Sequence, residues 1–232
     1  MTITEAVSLS PPSDALARAL LTGEGPDDLP TAYAVVACHS ADPAVVATLA
    51  AHEDLLCVLA GPGGYLLVPC ASDRMAGEAV RDLHVRLTGH TWMGVAWGTR
   101  KDLATVRATA ADLLTLALAS RRDPGVYELR HLLAGFAVLR RPDTSARLAR
   151  LIEPVVDRPQ LLEALRAFLA EDGNRAGAAR RLRIHRSTLD YRLRAIERLT
   201  GARPTSPHGV LTLDAALTAH AVRSIRPSLP VL

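Results

Sequence analysis

Hydrophobic positions recur along this chain with two different periods, and the period changes near its middle. Short apolar or β-branched runs predict strands, whereas apolar residues at three- and four-residue spacing predict helices. The predicted strands cover residues 33–37, 55–60, 65–70 and 92–97, and the predicted helices between and after them cover residues 43–52, 73–87 and 102–120. This β-α-β-β-α-β order predicts an α+β domain with a ferredoxin-like sheet.

The remainder of the chain shows helical spacing alone. A short helix is predicted over about residues 14–21, and its apolar edge of Leu16, Leu20 and Leu21 could pack on the next domain or on a second subunit. Later helices are predicted over residues 127–140, 143–156, 159–169, 174–200 (two helices) and 211–223. These elements predict a domain order of 1–30 (N-terminal helix and loop), 31–122 (sheet domain), 123–158 (helical connector) and 159–232 (all-α domain).

The segment 174–200 contains two helices joined by a tight turn. Asn174 is a favoured helix N-cap, and Ile184 interrupts the helical pattern as an apolar residue within the turn. We expect Ala176, Ala179 and Leu182 on one face of the first helix, with Ala178 beside them. The second helix should bury Leu189, Leu193, Ile196 and Leu199 and expose a polar, cationic face. This layout is typical of a helix-turn-helix.

The charge of the same segment supports that interpretation. Eight arginines are opposed only by Asp190 and Glu197, which gives a net charge of +6 in a chain whose total is +3. A local basic patch on a nearly neutral protein is typical of a surface that binds duplex DNA.

These residues also carry a resemblance to a known family. Residues 175–201 read RAGAARRLRIHRSTLDYRLRAIERLTG, and they closely resemble the C-terminal helix-turn-helix of PucR/CdaR-type bacterial transcriptional regulators, a module akin to the Fis-type helix-turn-helix. The resemblance extends from about residue 159 to 223. Upstream, the order of elements resembles the degenerate GGDEF-like domain of the same regulators. The chain departs from the family at Asp190, where a basic or neutral residue is usual.

The resemblance implies a sequence-specific regulator that binds double-stranded DNA, with its second helix, from about Arg186 to Leu199, in the major groove. Two half-sites give useful specificity, so a homodimer is expected. Near the helix start, the candidates for reading base edges are Arg186, Ser187, Asp190 and Tyr191, and those for phosphates are His185, Thr188, Arg192 and Arg194. Arg175 and Arg183 complete the candidate DNA-binding set. Asp190 could accept from cytosine N4, or pair with Arg186 or Arg194 on its own helix.

An enzyme is the main alternative, because nucleotidyl cyclases share the sheet fold and hold metal ions with carboxylates. The turn at residues 61–64, where the family's acidic signature would lie, reads Gly-Pro-Gly-Gly and contains no acid. We expect this turn to be a hairpin instead of a phosphate cradle, Asp42 to be a helix N-cap instead of a metal ligand, and His39 to be structural. No enzymatic activity, metal or cofactor is therefore predicted. A helical protein-interaction module that does not bind DNA is a further alternative.

The remaining features concern location and regulation. The N-terminus lacks the pattern of a signal peptide, and no apolar stretch reaches the roughly 20 residues of a membrane span. Cys38, Cys57 and Cys70 lack metal-binding spacing and are expected to be buried thiols in a reducing cytoplasm. A small-molecule or protein effector would act on the sheet domain, the connector or a partner protein, since the chain upstream of Thr31 is too short for a separate sensor domain.

Overall fold

A five-stranded sheet forms the centre of the N-terminal part of the computed structural model, which describes residues 11–24, 26, 28–51, 55–87, 90–225, 229 and 230. The strands are β1 (Ala32–Ser40), β2 (Leu56–Ala60), β3 (Gly63–Pro69), β4 (Thr91–Thr99) and β5 (Gly125–Tyr127). They lie in the order β2-β3-β1-β4-β5. β1 is antiparallel to both neighbours, with Val35 opposite Leu67 of β3 and opposite Ala96 of β4. The first four strands thus confirm the predicted ferredoxin-like order.

β5 was not predicted. It adds to the edge of the sheet in parallel with β4, pairing Val126 with Met93. A segment of three residues carries no usable periodicity, and it becomes a strand because β4 offers it an unpaired edge. The predicted helix over residues 127–140 therefore begins too early, since Tyr127 belongs to β5.

Helices cover both faces of the sheet. Alternate residues of a strand point to opposite faces. Val35 and Ala37 of β1 pack with α1 (Pro11–Thr22) and α4 (Leu103–Ala119), which a short 3₁₀ turn at Arg100–Asp102 precedes. The other face of β1, with Ala34, Val36 and Cys38, packs against α2 (Pro43–Ala50) and α3 (Asp73–Arg86).

This arrangement decides two points that the sequence left open or misplaced. Leu20 and Leu21 of α1 are fully buried against the sheet, so this edge packs on the sheet domain of its own chain. In α3, the spacing of Met75, Ala79, Leu83 and Leu87 predicts the apolar side, and Leu83 and Leu87 do pack in the core. Within the helix, the buried residues are Ala76, Gly77 and Val80, and Met75 is 45% exposed.

The hairpin between β2 and β3 has a turn of two residues. Ala60 pairs with Gly63, so that Gly61 and Pro62 alone form the turn. Gly61 has a φ of 56°, which a type II′ hairpin requires at its first central position and which glycine adopts without strain. The Pro62 carbonyl accepts a hydrogen bond from the Ser40 amide. The expected plain hairpin is confirmed.

The C-terminal part is entirely helical in the residues that the structure describes. Its helices are α5 (Leu129–Leu139), α6 (Pro142–Val156), α7 (Pro159–Ala170), α8 (Arg175–Arg181), α9 (Arg186–Thr200) and α10 (Pro207–Ser224). The chain forms two compact units that divide between Phe136 and Ala137, and α10 ends the second unit at Ser224. α5 crosses this division and is kinked at Leu132 (φ −135°, ψ 19°).

The predicted helical connector does not form a compact unit of its own. α6 belongs to the second unit, where Ile152 and Val155 are fully buried in the same core as α7, α8, α9 and α10. Glu153 of α6 also pairs with Arg223 of α10 at 3.2 Å. Pro154 lies within α6. The second unit is therefore a bundle of five helices that holds the helix-turn-helix segment on a buried apolar core.

Candidate nucleic-acid interface

α8 is the first helix of the helix-turn-helix segment. Asn174 is its N-cap, as predicted, and its Oδ1 accepts hydrogen bonds from the amides of Ala176 (3.0 Å) and Gly177 (3.1 Å). The buried residues are Gly177, Ala178 and Ala179. The expected apolar face is confirmed at Ala178, Ala179 and Leu182, which lie in or pack against the core, and is wrong at Ala176, which is exposed. Small buried residues let α8 approach the neighbouring helices closely.

The turn after α8 contains one residue in an unusual conformation. Arg183 has a φ of 53°, in the left-handed region that non-glycine residues seldom adopt. Its amide donates to the Arg180 carbonyl at 3.0 Å, and the amide of Ile184 donates to the Ala179 carbonyl at 3.0 Å. Ile184 packs against the core of the second unit, as its place in the sequence suggested. The turn is therefore closed by backbone hydrogen bonds and held by an apolar side chain.

α9 is capped at both ends. His185 is its N-cap, with Nδ1 accepting from the Ser187 amide at 3.3 Å and lying 2.8 Å from Ser187 Oγ. Gly201 ends the helix in the left-handed conformation (φ 70°).

The two faces of α9 differ sharply in burial. Leu189 and Ile196 are fully buried and Leu193 is 3% exposed, which confirms the predicted apolar face. On the opposite side, Ser187, Tyr191, Arg194 and Arg198 are exposed and follow one another at four- and three-residue spacing. Tyr191 is 61% exposed, an uncommon position for an aromatic ring. We call these four residues the outer stripe.

Asp190 lies on one flank of the outer stripe. Its Oδ1 is 3.5 Å from Nε of Arg175, the first residue of α8, and the two side chains are 30% and 41% exposed. The pairing partner is thus on the neighbouring helix, and the expected pairing with Arg186 or Arg194 within α9 is not the contact found. An ion pair this exposed contributes at most about 1 kcal/mol.

The arginines of the segment fall into two groups. Three have partners. Arg175 pairs with Asp190 and Arg181 with Glu171, each at 3.5 Å. Arg192 Nη1 donates to the Gln160 carbonyl at 3.3 Å. The Arg192 contact faces α7, away from the outer stripe. Among the described residues, no hydrogen bond or ion pair is found for the side chains of Arg180, Arg183, Arg186, Arg194 and Arg198. Unpaired exposed guanidinium groups can bind phosphates or the edges of guanines.

All ten residues of the predicted site lie in the helix-turn-helix segment, but Arg192 is directed toward Gln160 of α7, away from the outer stripe. The exposed ones are Arg183, His185, Arg186, Ser187, Thr188, Tyr191 and Arg194, and the half-buried ones are Arg175, Asp190 and Arg192. Three exposed arginines of the segment were not among the candidates: Arg180, Arg181, which pairs with Glu171, and Arg198. Arg198 follows Arg194 by four residues, and this spacing could have placed it on the outer stripe.

The sheet domain offers a weaker alternative site. Asp42 is the N-cap of α2, as predicted, and its Oδ1 accepts from the Ala44 amide at 2.9 Å. His39 Nδ1 is buried without a hydrogen-bond partner, and burial lowers the pKa of this imidazole. Across the described ranges, no three His, Cys, Asp or Glu residues cluster closely enough to hold a metal ion. Nor does any helix there combine the length and apolar character that a membrane crossing requires.

The helix-turn-helix segment is similar to a known domain family. Residues 161–219 match the family model of the PucR C-terminal helix-turn-helix domain. The match begins in α7 and ends in α10, so it covers the whole candidate interface and the supporting core apart from residues of α6 such as Ile152 and Val155. No curated protein matches the chain significantly.

Among solved structures, the chain is similar to a regulator of polyketide synthase expression from Bifidobacterium adolescentis. The two are 20% identical, the alignment covers 92% of this chain and 93% of that chain, and the TM-score is 0.36. At that TM-score the likeness supports no argument about this protein.

Proposed function

We propose that this protein is a DNA-binding transcription regulator of the PucR type, which inserts α9 into the major groove with its outer stripe toward the bases. The observation that carries the proposal is the contrast within α9. A fully buried apolar face opposes an exposed stripe of Ser187, Tyr191, Arg194 and Arg198, in a segment that matches a known helix-turn-helix family. An exposed tyrosine among unpaired arginines has no structural task in the monomer, but it suits contact with nucleic acid.

The chemistry assigns different tasks to different residues. Arg194 and Arg198 can donate bidentately to guanine O6 and N7, and Tyr191 can contact base edges or methyl groups. Arg180 and Arg183, on the first helix and the turn, are suited to phosphates. His185 and Ser187 hydrogen-bond to each other, so their first task is to order the start of the helix.

The direct test is recovery of bound genomic fragments with the purified protein, followed by titration of a recovered duplex and a scrambled duplex. We expect a preference for the recovered sequence of at least 10³-fold, as is usual for specific regulators. Equal binding to both duplexes would leave a nonspecific DNA-binding protein, and no binding to either would remove the proposal.

We further propose that the protein acts as a homodimer on two half-sites, because one recognition helix covers only a few base pairs. The centres of the half-sites should lie about 10 base pairs, or a multiple of this, apart. Sedimentation of the protein with and without the recovered duplex measures the stoichiometry. One protomer per duplex at saturation would contradict this part of the proposal while leaving DNA binding intact.

The proposed regulator has no nucleotidyl cyclase activity. We propose the bacterial cytoplasm as its location. The β2–β3 hairpin contains no Asp or Glu, and the Asp42 carboxylate caps a helix. The expected positions therefore do not supply the ligands that two metal ions need. Incubation with GTP or ATP and Mg²⁺ or Mn²⁺ should yield no cyclic product. Turnover that Asp42→Ala abolishes would contradict this expectation.

A further inference from the structure

The first residues of the two helices of the helix-turn-helix line one surface cavity. Arg175 opens α8 and Arg186 opens α9, and both line a cavity of about 560 Å³ within the second unit. Its opposite wall is the segment from Pro204 to Pro207, which leads into α10. Two arginines from separate helices thus line one concave site beside the outer stripe.

We propose that this cavity seats one phosphate of the DNA backbone, held by Arg175 and Arg186. The inference rests on the proposed DNA-binding function and deepens it. It gives Arg186 a phosphate-binding role in place of the base-reading role that the sequence suggests, and it adds Thr205 to the contacting residues.

The position of the cavity around α9 argues for a phosphate over a base. Successive residues of a helix are separated by about 100°, so Arg186 lies roughly 100° around the axis from Ser187 of the outer stripe. When the outer stripe faces the floor of the major groove, this flank faces the groove wall. The wall of the groove is the sugar–phosphate backbone, whose contacts position a protein without reading sequence.

The charges of the lining also suit a phosphate. Arg175, Arg186 and Asp172 are the charged residues that line the cavity, and their net charge of +1 matches the single negative charge of a phosphodiester. Thr205 has no hydrogen-bond partner among the described residues, so its hydroxyl is free to donate. The Ser206 hydroxyl is already used, donating to the Arg203 carbonyl at 3.1 Å and accepting from the Gly209 amide at 3.1 Å.

Asp190 acts on this site as a positioning residue. Arg175 also lines a second cavity of about 260 Å³, together with Asp190, and the ion pair between them involves Arg175 Nε. The two terminal nitrogens of Arg175 remain without a described partner, and a guanidinium can use them for bidentate contact with a phosphate. Asp190 therefore orients Arg175 and leaves the two terminal nitrogens of Arg175 available to a phosphate. This role accounts for an acidic residue in an otherwise basic helix.

The test replaces single phosphates of the recovered duplex by neutral methylphosphonates and titrates each duplex with wild-type protein. At one phosphate in each half-site, the replacement should weaken wild-type binding by about tenfold or more. Arg175→Gln and Arg186→Gln should each weaken binding to the unmodified duplex and reduce the effect of neutralising that one phosphate, and the double variant should abolish the effect, because both contacts are then absent. Circular dichroism confirms that each variant is folded.

Arg180→Gln is the matched control, since Arg180 is an exposed arginine of α8 that does not line the cavity. It should lose the phosphate contact proposed for Arg180 itself but retain the full effect at the phosphate of the cavity. Asp190→Asn should reduce the effect at that phosphate and leave the effects at other phosphates unchanged. A purely structural role of Asp190 would weaken binding evenly at all positions.

The inference is overturned if wild-type protein binds the recovered duplex but no single phosphate is linked to both arginines. A free phosphate ester is the other source of the same chemistry, and inorganic phosphate titrated into DNA-free protein distinguishes it. Phosphate binding that both arginines support, with no methylphosphonate effect, would assign the cavity to a free anion and overturn the DNA assignment. Failure of the wild-type protein to bind any duplex would instead refute the proposed function.

Discussion

Arg183 holds a backbone conformation that costs a non-glycine residue about 1 kcal/mol. Its φ of 53° lies in the left-handed region, in the turn between α8 and α9. Glycine would adopt this conformation freely, so the turn itself does not require an arginine here, and the proposed DNA contact of its side chain would account for one. Its exposure and its lack of a described partner are consistent with contact to a phosphate.

Arg183→Gly should therefore raise the free energy of unfolding by roughly 1 kcal/mol while weakening DNA binding. Arg183→Ala is the matched variant, because it removes the same charge and retains the conformational cost. Both variants should lower the salt dependence of DNA binding by about one unit. Urea denaturation and titration at several salt concentrations measure the two effects, and equal stability of the Gly and Ala variants would contradict the strain argument.

The thiol of Cys38 makes stability depend on alkaline pH. Burial raises its pKa to about 12, and its Sγ lies 3.5 Å from the Gly64 carbonyl oxygen. An unfolded thiol has a pKa of about 8.5. Between these values the unfolded chain releases a proton that the folded chain retains, so the stabilisation is complete below about pH 8.5 and declines as the pH rises toward 12.

We expect the free energy of unfolding of the sheet domain to fall by up to about 1.4 kcal/mol per pH unit above pH 8.5 on account of Cys38. Cys38→Ala should make this decline shallower, because the group that titrates only in the unfolded chain has been removed. Urea denaturation at several pH values between 8 and 10 checks the slope. Identical slopes for the two proteins would show that another group causes the decline.

At the scale of one element, the two faces of α9 have different roles. The buried face contributes to the stability of the fold, and the exposed face is the one proposed to bind DNA. Leu193 is 3% exposed and Tyr191, two residues earlier, is 61% exposed. Leu193→Ala should cost about 2–5 kcal/mol of stability, because it leaves a cavity in the core. Tyr191→Ala should change stability by no more than about 0.5 kcal/mol and weaken binding to the recovered duplex by roughly 1–3 kcal/mol.

Chemical denaturation and DNA titration of this matched pair distinguish the two faces. A Tyr191→Ala variant that binds as tightly as the wild-type protein would mean that the outer stripe does not face DNA. Loss of stability in Tyr191→Ala would mean that the ring packs on the protein despite its exposure.

For the whole molecule, the two units have separate hydrophobic cores. The core of the second unit, which contains Ile196, shares no residue with the two clusters on the faces of the sheet, one of which contains Leu67. Separate cores allow separate cooperative unfolding, so we expect two thermal transitions in calorimetry. Leu67→Ala should lower the midpoint of one transition and Leu193→Ala that of the other. A single transition that both substitutions shift equally would show that the units unfold together.

The amino-acid sequence by itself determined the elements with a clear period and the class of the site. Alternating and three- to four-residue spacings are local properties, so they predicted four strands in ferredoxin-like order and a second helix with Leu189, Leu193 and Ile196 inside. Caps are local as well, because each joins atoms within a few residues, and Asp42 and Asn174 were placed correctly for that reason. The concentration of arginines between residues 174 and 200 pointed to nucleic acid, since charge density can be read without coordinates.

Only the tertiary structure decided contacts between residues that are distant in sequence. It placed α1 on the sheet, and it formed β5, whose three residues become a strand only beside β4. It also paired Asp190 with Arg175 of α8 and turned Arg192 toward Gln160, where intrahelical spacing had suggested other roles. Such contacts depend on how elements pack against each other, and spacing along the chain carries no information about packing. For the same reason, the cavity shared by Arg175 and Arg186 emerged from the fold and not from the pattern.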